Sequence, residues 1–397
     1  MLVAAVAVIL AAGSVAGASL AGRESTATRT AHSTETLYAD VQDLSYDLAD
    51  SSATAATSLL IGPETPSGFS SRFQEDLARA EALLSQASQQ VAGDAYASAQ
   101  LTELAEQIPV YTGLVGQAQA ENRSGYPVAG AYLRQASDML TSMLAESKNV
   151  ANEQKAATES GISSASGFAV LVLIAVLIAL ALLWVISRGL ARTAHRRLNP
   201  GLIGAAAVMV GLFVWSFSAF GSASGDGNLA GADFSGVVAS QSEASELSLA
   251  ETNVALQQID RGEDQGKDES AATEALKAAN PAGPGVSGAV EHDYTAFAGC
   301  VQNSLTLANG GQYVSATAAM VGSGTSVGAG GCEPQAKTLY KDLQNLDAAS
   351  QGRFDHDMSV LAGDYAGSAA LPIGLVAGLI GACVAAYGLN RRLAEYR

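Results

Sequence analysis

No stretch of this 397-residue chain alternates apolar and polar residues as a half-buried strand would, which excludes a sheet-built fold. Histidine and cysteine are scarce, with four and three respectively. His32, His195, His292 and His356 have no partner at metal-ligand spacing, so no metal site is expected. Asp355-His356-Asp357 looks suggestive, but adjacent residues on a helix point to different faces, and the triplet reads as solvated surface. Walker, GxSxG and kinase signatures are all missing. The glycine-rich "GSGTSVGAGG" runs into a Cys-Glu-Pro turn between acidic helices, a poor cradle for phosphate. The expectation is a chain that is not an enzyme, has no cofactor and has no nucleic-acid partner. Positive charge is also short: 21 Lys and Arg face 38 Asp and Glu, a formal net charge of −17.

What the chain has is apolar length. Four runs are long enough to cross a bilayer, which takes about 20 residues of helix: Leu2 to Ala21, Gly167 to Ile186, Leu202 to Phe220 and Leu371 to Leu389. None carries a charged side chain, so no ion pathway is expected in them. The first, third and fourth are rich in Gly, Ala and Ser, which suits close helix packing in lipid. A cleaved signal peptide is the alternative for the first run, since "AGASLA" offers small residues for cleavage. Its length and the lack of a basic stretch before it favour a retained span.

Charge sets the orientation. Residues 21–166 carry 8 basic and 18 acidic side chains, and residues 221–370 carry 6 and 19. The two short remaining segments hold seven arginines and one glutamate. Short basic loops stay cytoplasmic while long segments translocate largely regardless of charge. The expected fold class is therefore an all-α membrane protein with four transmembrane helices and two extracytoplasmic four-helix bundles in tandem. Its segments are 1–21 (first span), 22–166 (first bundle), 167–187 (second span), 188–200 (basic loop), 201–220 (third span), 221–370 (second bundle), 371–389 (fourth span) and 390–397 (basic tail). Both termini are placed in the cytoplasm of a multi-pass plasma-membrane protein. Cys300 and Cys332, both on the oxidising side in this topology, are expected to pair as a disulfide. Cys383 reads as a small packing residue in the last span.

The first outer region reads as four antiparallel helices. The first bears Leu37, Val41, Leu44, Leu48, Ala55 and Leu59 on one stripe. The second bears Phe73, Leu77, Ala80, Leu84, Ala87 and Val91; the third Leu101, Leu104, Ile108, Tyr111, Val115 and Ala118. The fourth bears Leu133, Ala136, Leu140, Met143 and Val150. Apolar residues at such spacing on consecutive helices specify a bundle. "GPETPSG" and "ENRSGYP" break the helices at the end far from the bilayer. The second region reads as a weaker copy, with Tyr111-Thr and Tyr294-Thr in matching places, and departs from it after Val314.

"IPVYTGLVGQAQAENRSGYPVAGAYLRQAS", the "RRLNPGL" loop and the terminal "RLAEYR" resemble the actinobacterial GlnX-type membrane signalling proteins, and the outer bundles are similar to chemoreceptor four-helix sensor domains. The resemblance implies two partners: a GlnH-like amino-acid-binding lipoprotein outside, and a PknG-like cytosolic Ser/Thr kinase inside. It implies that the lipoprotein senses aspartate or glutamate, and that the relayed signal adjusts glutamate metabolism. A domain this acidic suits that division of labour, because like charge repels free dicarboxylates. Two other readings stay open: a direct small-molecule sensor, and a structural or assembly membrane protein. A homo-oligomer is also left open.

Two sets of residues are candidates for these contacts. Outside, the distal turn offers Asn122, Arg123 and Tyr126, with Tyr132 and Arg134 beyond it, since Arg and Tyr are favoured interface anchors. Inside, Arg188, Arg192, Arg196 and Arg197 of "SRGLARTAHRRLNP" join Arg391 and Arg392 of the tail. The four loop arginines are expected to fix topology and meet anionic membrane lipids. Together the six also make up most of the cytosolic surface any kinase could grip.

Overall fold

Helix is the regular structure of the described residues, as the heptad-spaced apolar stripes require. The structure, a computed structural model, describes all residues except 1, 63–66, 92, 126–127, 168–173, 175–176, 183, 186–187, 189–199, 262–264, 282–285, 324–329, 366–369 and 395–397. In chain order the helices are α1 (Leu2–Arg29), α2 (Glu35–Ile61), α3 (Ser67–Gln90), α4 (Ala95–Arg123), α5 (Ala129–Ser166) and α6 (Pro200–Asp260). There follow α7 (Gln265–Ala278), α8 (Gly288–Asn309), α9 (Tyr313–Val321), α10 (Glu333–Asp364) and α11 (Ala370–Ala394). A π-helical turn over Thr30–Thr34 separates α1 from α2, where an uninterrupted helix over 25–61 is expected from sequence alone. The short α9 is also additional to the four-helix plan.

The chain divides into two compact units. One comprises Met1–His32, Thr158–Gly231 and Arg353–Arg397; the other comprises Ser33–Ala157 and Ala232–Gly352. Most of the expected outer residues lie in the second, here called the helical unit.

In the helical unit the expected stripes are buried. Phe73, Leu77, Leu84, Leu101, Leu104, Ile108, Leu133, Leu140 and Met143 fill the first half. The second half is closed around Leu247, Val254, Leu276, Phe297, Val301, Leu305, Leu339 and Leu343. Asp94 caps α4 by accepting from the N–H groups of Tyr96 and Ala97, both at 3.1 Å. Each half hides one tyrosine hydroxyl on a serine: Tyr111 with Ser51 at 3.0 Å, and Tyr340 with Ser248 at 2.9 Å. A buried hydroxyl without such a partner would cost more than the bond contributes. Tyr294, the sequence counterpart of Tyr111, is half-buried and donates to the Leu276 carbonyl at 2.6 Å.

α2 and the 232–260 stretch of α6 are buried on nearly every side, which marks them as central helices. They meet through the rings of Tyr38 and Phe234, 5.5 Å apart and edge to face. Tyr46, Leu60 and Ile61 of α2 also pack against the core of the second half. Cys300 on α8 is bonded to Cys332, just before α10.

The other unit is the apolar one. Here α1 and α11 meet at glycines four apart, Gly13 and Gly17 against Gly374 and Gly378. A Cβ on Gly374 would lie 2.5 Å from the Gly13 carbonyl oxygen and 2.8 Å from the Gly17 Cα. Only glycine permits that approach, the small-residue packing that lets helix backbones touch. Arg23 at the end of α1 donates to the carbonyls of Ser164 (2.7 Å), Ala165 (3.2 Å) and Gly167, satisfying the carbonyl end of α5, and lies 5.2 Å over the Phe220 ring. Large apolar side chains of this unit are exposed, among them Leu177, Trp184, Val214, Phe217, Leu379 and Ile380. Among the described residues one helix, Ile203–Asp260, is long and apolar enough to cross a membrane, with a mean hydropathy of 2.0 in its most apolar window. Pro372–Tyr387 is a shorter apolar helix. The expected span over 167–187 lies in large part outside the described residues.

Two substitutions test this packing. Gly374→Val should destabilise the detergent-solubilised protein by about 1–3 kcal/mol through overpacking, whereas Gly22→Ala, whose Cβ meets nothing within 4 Å, should leave the melting temperature unchanged. Replacing Cys300 and Cys332 together by serine releases a loop with a sequence separation of 32. It should cost roughly 3–4 kcal/mol, read as a lower thermal midpoint.

Candidate functional site

Four aspartates recur along α2 at steps of three and four: Asp40, Asp43, Asp47 and Asp50. Three of them, Asp40, Asp47 and Asp50, are buried, and Asp43 faces solvent. On α3, Arg72 and Arg79 stand two helical turns apart with Asp76 between them. Because α3 runs back along α2, the arginine nearer the turn meets the later aspartate. Arg72 grips both Asp50 oxygens, Nη2 to Oδ1 at 2.8 Å and Nε to Oδ2 at 3.3 Å. Arg79 Nε reaches Asp47 at 3.0 Å, and its Nη2 bonds Asp76.

The third contact of Arg72 leaves its own half. Its Nη1 donates to Glu333 Oε1 at 3.0 Å, at the first residue of α10, and Lys337 Nζ supports the same oxygen at 3.2 Å. One guanidinium therefore holds a carboxylate from each half of the helical unit. The Tyr46 and Tyr340 rings, 5.6 Å apart, pack across the same seam. Farther along, Asp347 accepts from Ser240 (3.3 Å), Gln241 (3.4 Å) and Gln351 (2.9 Å).

Burial dominates the titration of this seam. It raises Glu251 to about 8, with Glu333 adding to the shift and Arg72 opposing it. Burial likewise raises Asp76 to about 7, with Asp50 adding and Arg79 opposing, and raises Asp47 to about 6 against the pull of Arg79. Burial pushes Asp50 up while Arg72 pulls it back down. Burial works against the charge on Arg72 itself, but Asp50, Glu333 and Glu251 together hold it above its ordinary value.

At one end of the helical unit, a cleft of about 640 Å³ opens between the two halves, where α2, α4 and α6 end and α5 and α9 begin. Asn122 lines it and donates from Nδ2 to the Leu59 carbonyl at 3.4 Å. Arg261 also lines it, and is the one non-glycine residue with positive φ among the described residues, at 46°. Gly130 sits on its wall because a Cβ there would press to 3.1 Å from Ile259 Cγ2.

The five outer candidates do not form one surface. Asn122 lines the cleft, and Arg134 is ion-paired with Asp260 of the other half. Arg123 is exposed and bonds the Gln119 carbonyl of its own helix at 3.3 Å. Tyr132 is half-buried, and Tyr126 lies outside the described residues. Of the inner candidates, Arg188 lies 5.3 Å over the Trp184 ring, a pairing suited to an interface between lipid and water. Arg391 and Arg392 lie on α11, while Arg192, Arg196 and Arg197 lie outside the described residues. Among the described residues no group of three or more His, Cys, Asp or Glu is placed to hold a metal ion.

The charged seam is a site that reading the apolar stripes alone passes over. Its signal was available: aspartates at heptad spacing on α2, and two arginines seven apart on α3, are the pattern of a polar seam between packed helices. Glu333, across the seam, has no such local pattern.

Residues 26–162 match a family model described as an actinobacterial sensor domain. The match takes in α2 to most of α5. No curated protein and no solved structure matches the chain. A domain of this kind supports a sensing or signalling role for an actinobacterial protein.

Two measurements follow from the seam. Raised carboxyl groups hold protons in the folded chain that the unfolded chain has already released. Their stabilisation is thus full below about pH 4 and is lost as pH rises through the folded values of about 6 to 8. Thermal midpoints should fall between pH 5 and 8, and Glu251→Gln should flatten that slope and raise the midpoint at pH 8. Arg72→Met should cost roughly 2–3 kcal/mol in chemical denaturation, less than a fully buried pair because the arginine is one-third exposed.

Proposed function

We propose that this protein is a non-enzymatic transmembrane signal transducer of the plasma membrane, with the helical unit outside as its sensing part. In this reading four spans, at 1–21, 167–187, 201–220 and 371–389, cross the bilayer. Outer segments 22–166 and 221–370 then form two tandem bundles, and the basic loop 188–200 and tail 390–397 lie in the cytoplasm. The exposed apolar side chains of the other unit support it, since such a surface would be costly in water and is ordinary in lipid. So does the short supply of basic residues outside the two inner segments.

The observation that carries the signalling part is the shared guanidinium of Arg72. A partner that shifts one half of the helical unit against the other must strain or break the Arg72–Glu333 contact. The seam then has two discrete arrangements rather than a continuous range, which is what a switch requires. α5 and α6 each contribute residues to both units, so a shift in either has a covalent path along the chain. The outer partner we propose is an amino-acid-binding lipoprotein specific for aspartate or glutamate. The inner partner is a cytosolic Ser/Thr kinase that controls glutamate metabolism and reads the basic loop and tail.

Co-purification of the full-length protein with the candidate lipoprotein and kinase tests this reading. Asn122→Ala and Arg134→Ala should weaken retention of the lipoprotein. Replacing Arg192, Arg196 and Arg197 by glutamine should release the kinase. If both partners remain bound in every variant, the assignment of contacts is wrong; if neither binds the unaltered protein, the relay itself is.

A further inference from the structure

Arg72 has an acidic neighbour that its two ion pairs leave out. Glu251, on the part of α6 inside the helical unit, is 7% exposed, and its side chain makes no hydrogen bond among the described residues. Asp50 on α2, Arg72 on α3 and Glu333 on α10 stand close enough to act on its charge, and it acts in turn on Tyr340. Arg72 is not saturated by the partners it has. Asp50 occupies Nε and Nη2, but Nη1 carries two hydrogens, and Glu333 Oε1 at 3.0 Å accepts one of them. The other has no acceptor among the described residues.

The charge balance keeps Glu251 from taking it. Arg72 and Lys337 match Asp50 and Glu333, so an ionised Glu251 leaves one negative charge unmatched where water is scarce. One step farther, Asp47 and Asp76 outnumber Arg79 and give no relief. Tyr46 and Tyr340 close the surround as neutral rings, since burial pushes both hydroxyls well up. Burial, with Glu333 adding and Arg72 opposing, raises the Glu251 carboxyl to about 8. Near neutral pH it is uncharged and stands aside.

Without its proton, Glu251 is the carboxylate that can least do without Arg72. Its side chain is enclosed, whereas that of Glu333 is 17% exposed and has Lys337 at 3.2 Å as a second cation. The backbone of Glu333 need not move: the preceding Cys332 is bonded to Cys300, and its N–H donates to the Met320 carbonyl at 3.0 Å. A rotation of two side chains is enough.

We propose that loss of the Glu251 proton to solvent exchanges the partners of Arg72: Glu251 takes up Nη1, and Glu333 lets go and turns to Lys337 and water. Arg72 keeps Asp50 throughout, so its hold on the second half passes from α10 to α6, a helix that also contributes to the apolar unit. The arrangement of the seam thereby follows the pH around the helical unit. It needs neither the lipoprotein nor the kinase, so failure of the relay leaves it standing and its own failure leaves the relay untouched.

The test is a double-mutant cycle between Arg72→Met and Glu333→Gln in chemical denaturation of the full-length protein, at about pH 6 and about pH 9. Near pH 6 the coupling should be about threefold or more in the unfolding equilibrium constant, and near pH 9 it should disappear. In a Glu251→Gln background it should be alike at both pH values, because glutamine cannot ionise. That background separates Glu251 from Asp47 and Asp76, which titrate in the same range. Infrared difference spectra of the unaltered and Glu251→Gln proteins, which need no change at Arg72, should differ by one protonated-carboxyl component that titrates near pH 8. The proposal is overturned if the coupling is the same at both pH values, if it falls equally in the Glu251→Gln background, or if that component is missing.

Discussion

Arg72 is the constraint on which the helical unit depends. It sits on α3, binds Asp50 with two bonds and Glu333 with a third, and so fixes the register of α2, α3 and α10 together. A guanidinium suits this place because its planar fork offers several donors in fixed directions and stays charged when partly buried. A lysine could neutralise one carboxylate, but could not hold two from different helices in defined geometry. Such a contact adds little net stability, since desolvation offsets much of the Coulomb attraction, and it contributes more to specificity of arrangement. That balance fits two halves held in register.

The seam and the cleft are chemically opposite. Around Arg72 and Arg79 the chain gathers Asp47, Asp50, Asp76, Glu251 and Glu333, more carboxylates than the two arginines can neutralise, and burial keeps some of them protonated. At the helix ends Arg261 lines the cleft at the surface, and the neighbouring Asp260 is taken up by Arg134. The first arrangement consumes its charge internally; the second leaves an arginine exposed. The sensor-domain match covers residues 26–162 and hence Asp50 and Arg72, while Glu333 lies beyond it. The matched segment thus holds one side of the seam, and residues 232–352 complete it.

The apolar unit rests on a different principle. Where α1 meets α11, contact is made by backbone against backbone through glycines, and large side chains are turned outward. In water this would waste apolar surface; in lipid it costs nothing, and the close approach contributes dispersion. Arg23 stands at the polar end of α1 and takes up the carbonyls that α5 leaves unpaired. In the helical unit the order is inverted, with leucines and phenylalanines inside and charge confined to the seam.

Local pattern was enough to determine some of this. Leu77, Leu104, Leu140 and their neighbours repeat at helical spacing, so helices and their buried faces could be read directly; Cys300 and Cys332 could be paired because the two cysteines share one long segment between apolar runs. The glycines of α1 and α11 announced close packing in the same way. Each is a periodicity or a composition, carried by neighbours in the chain. Contacts between distant segments were a different matter. Nothing near Glu333 marks it as the partner of Arg72, 261 residues away in the chain. Nor does anything near Arg261 show that Asn122 and Gly130 will face it across a cleft. The π-helical turn at Thr30–Thr34 and the added α9 were likewise settled by packing, since propensity alone would have continued one helix and left the other segment as loop. Sequence determined which surfaces are apolar and which are charged, because those are properties of single residues repeated at a fixed step. Only the tertiary structure decided which charges meet, because that depends on how two segments far apart in the chain are brought side by side.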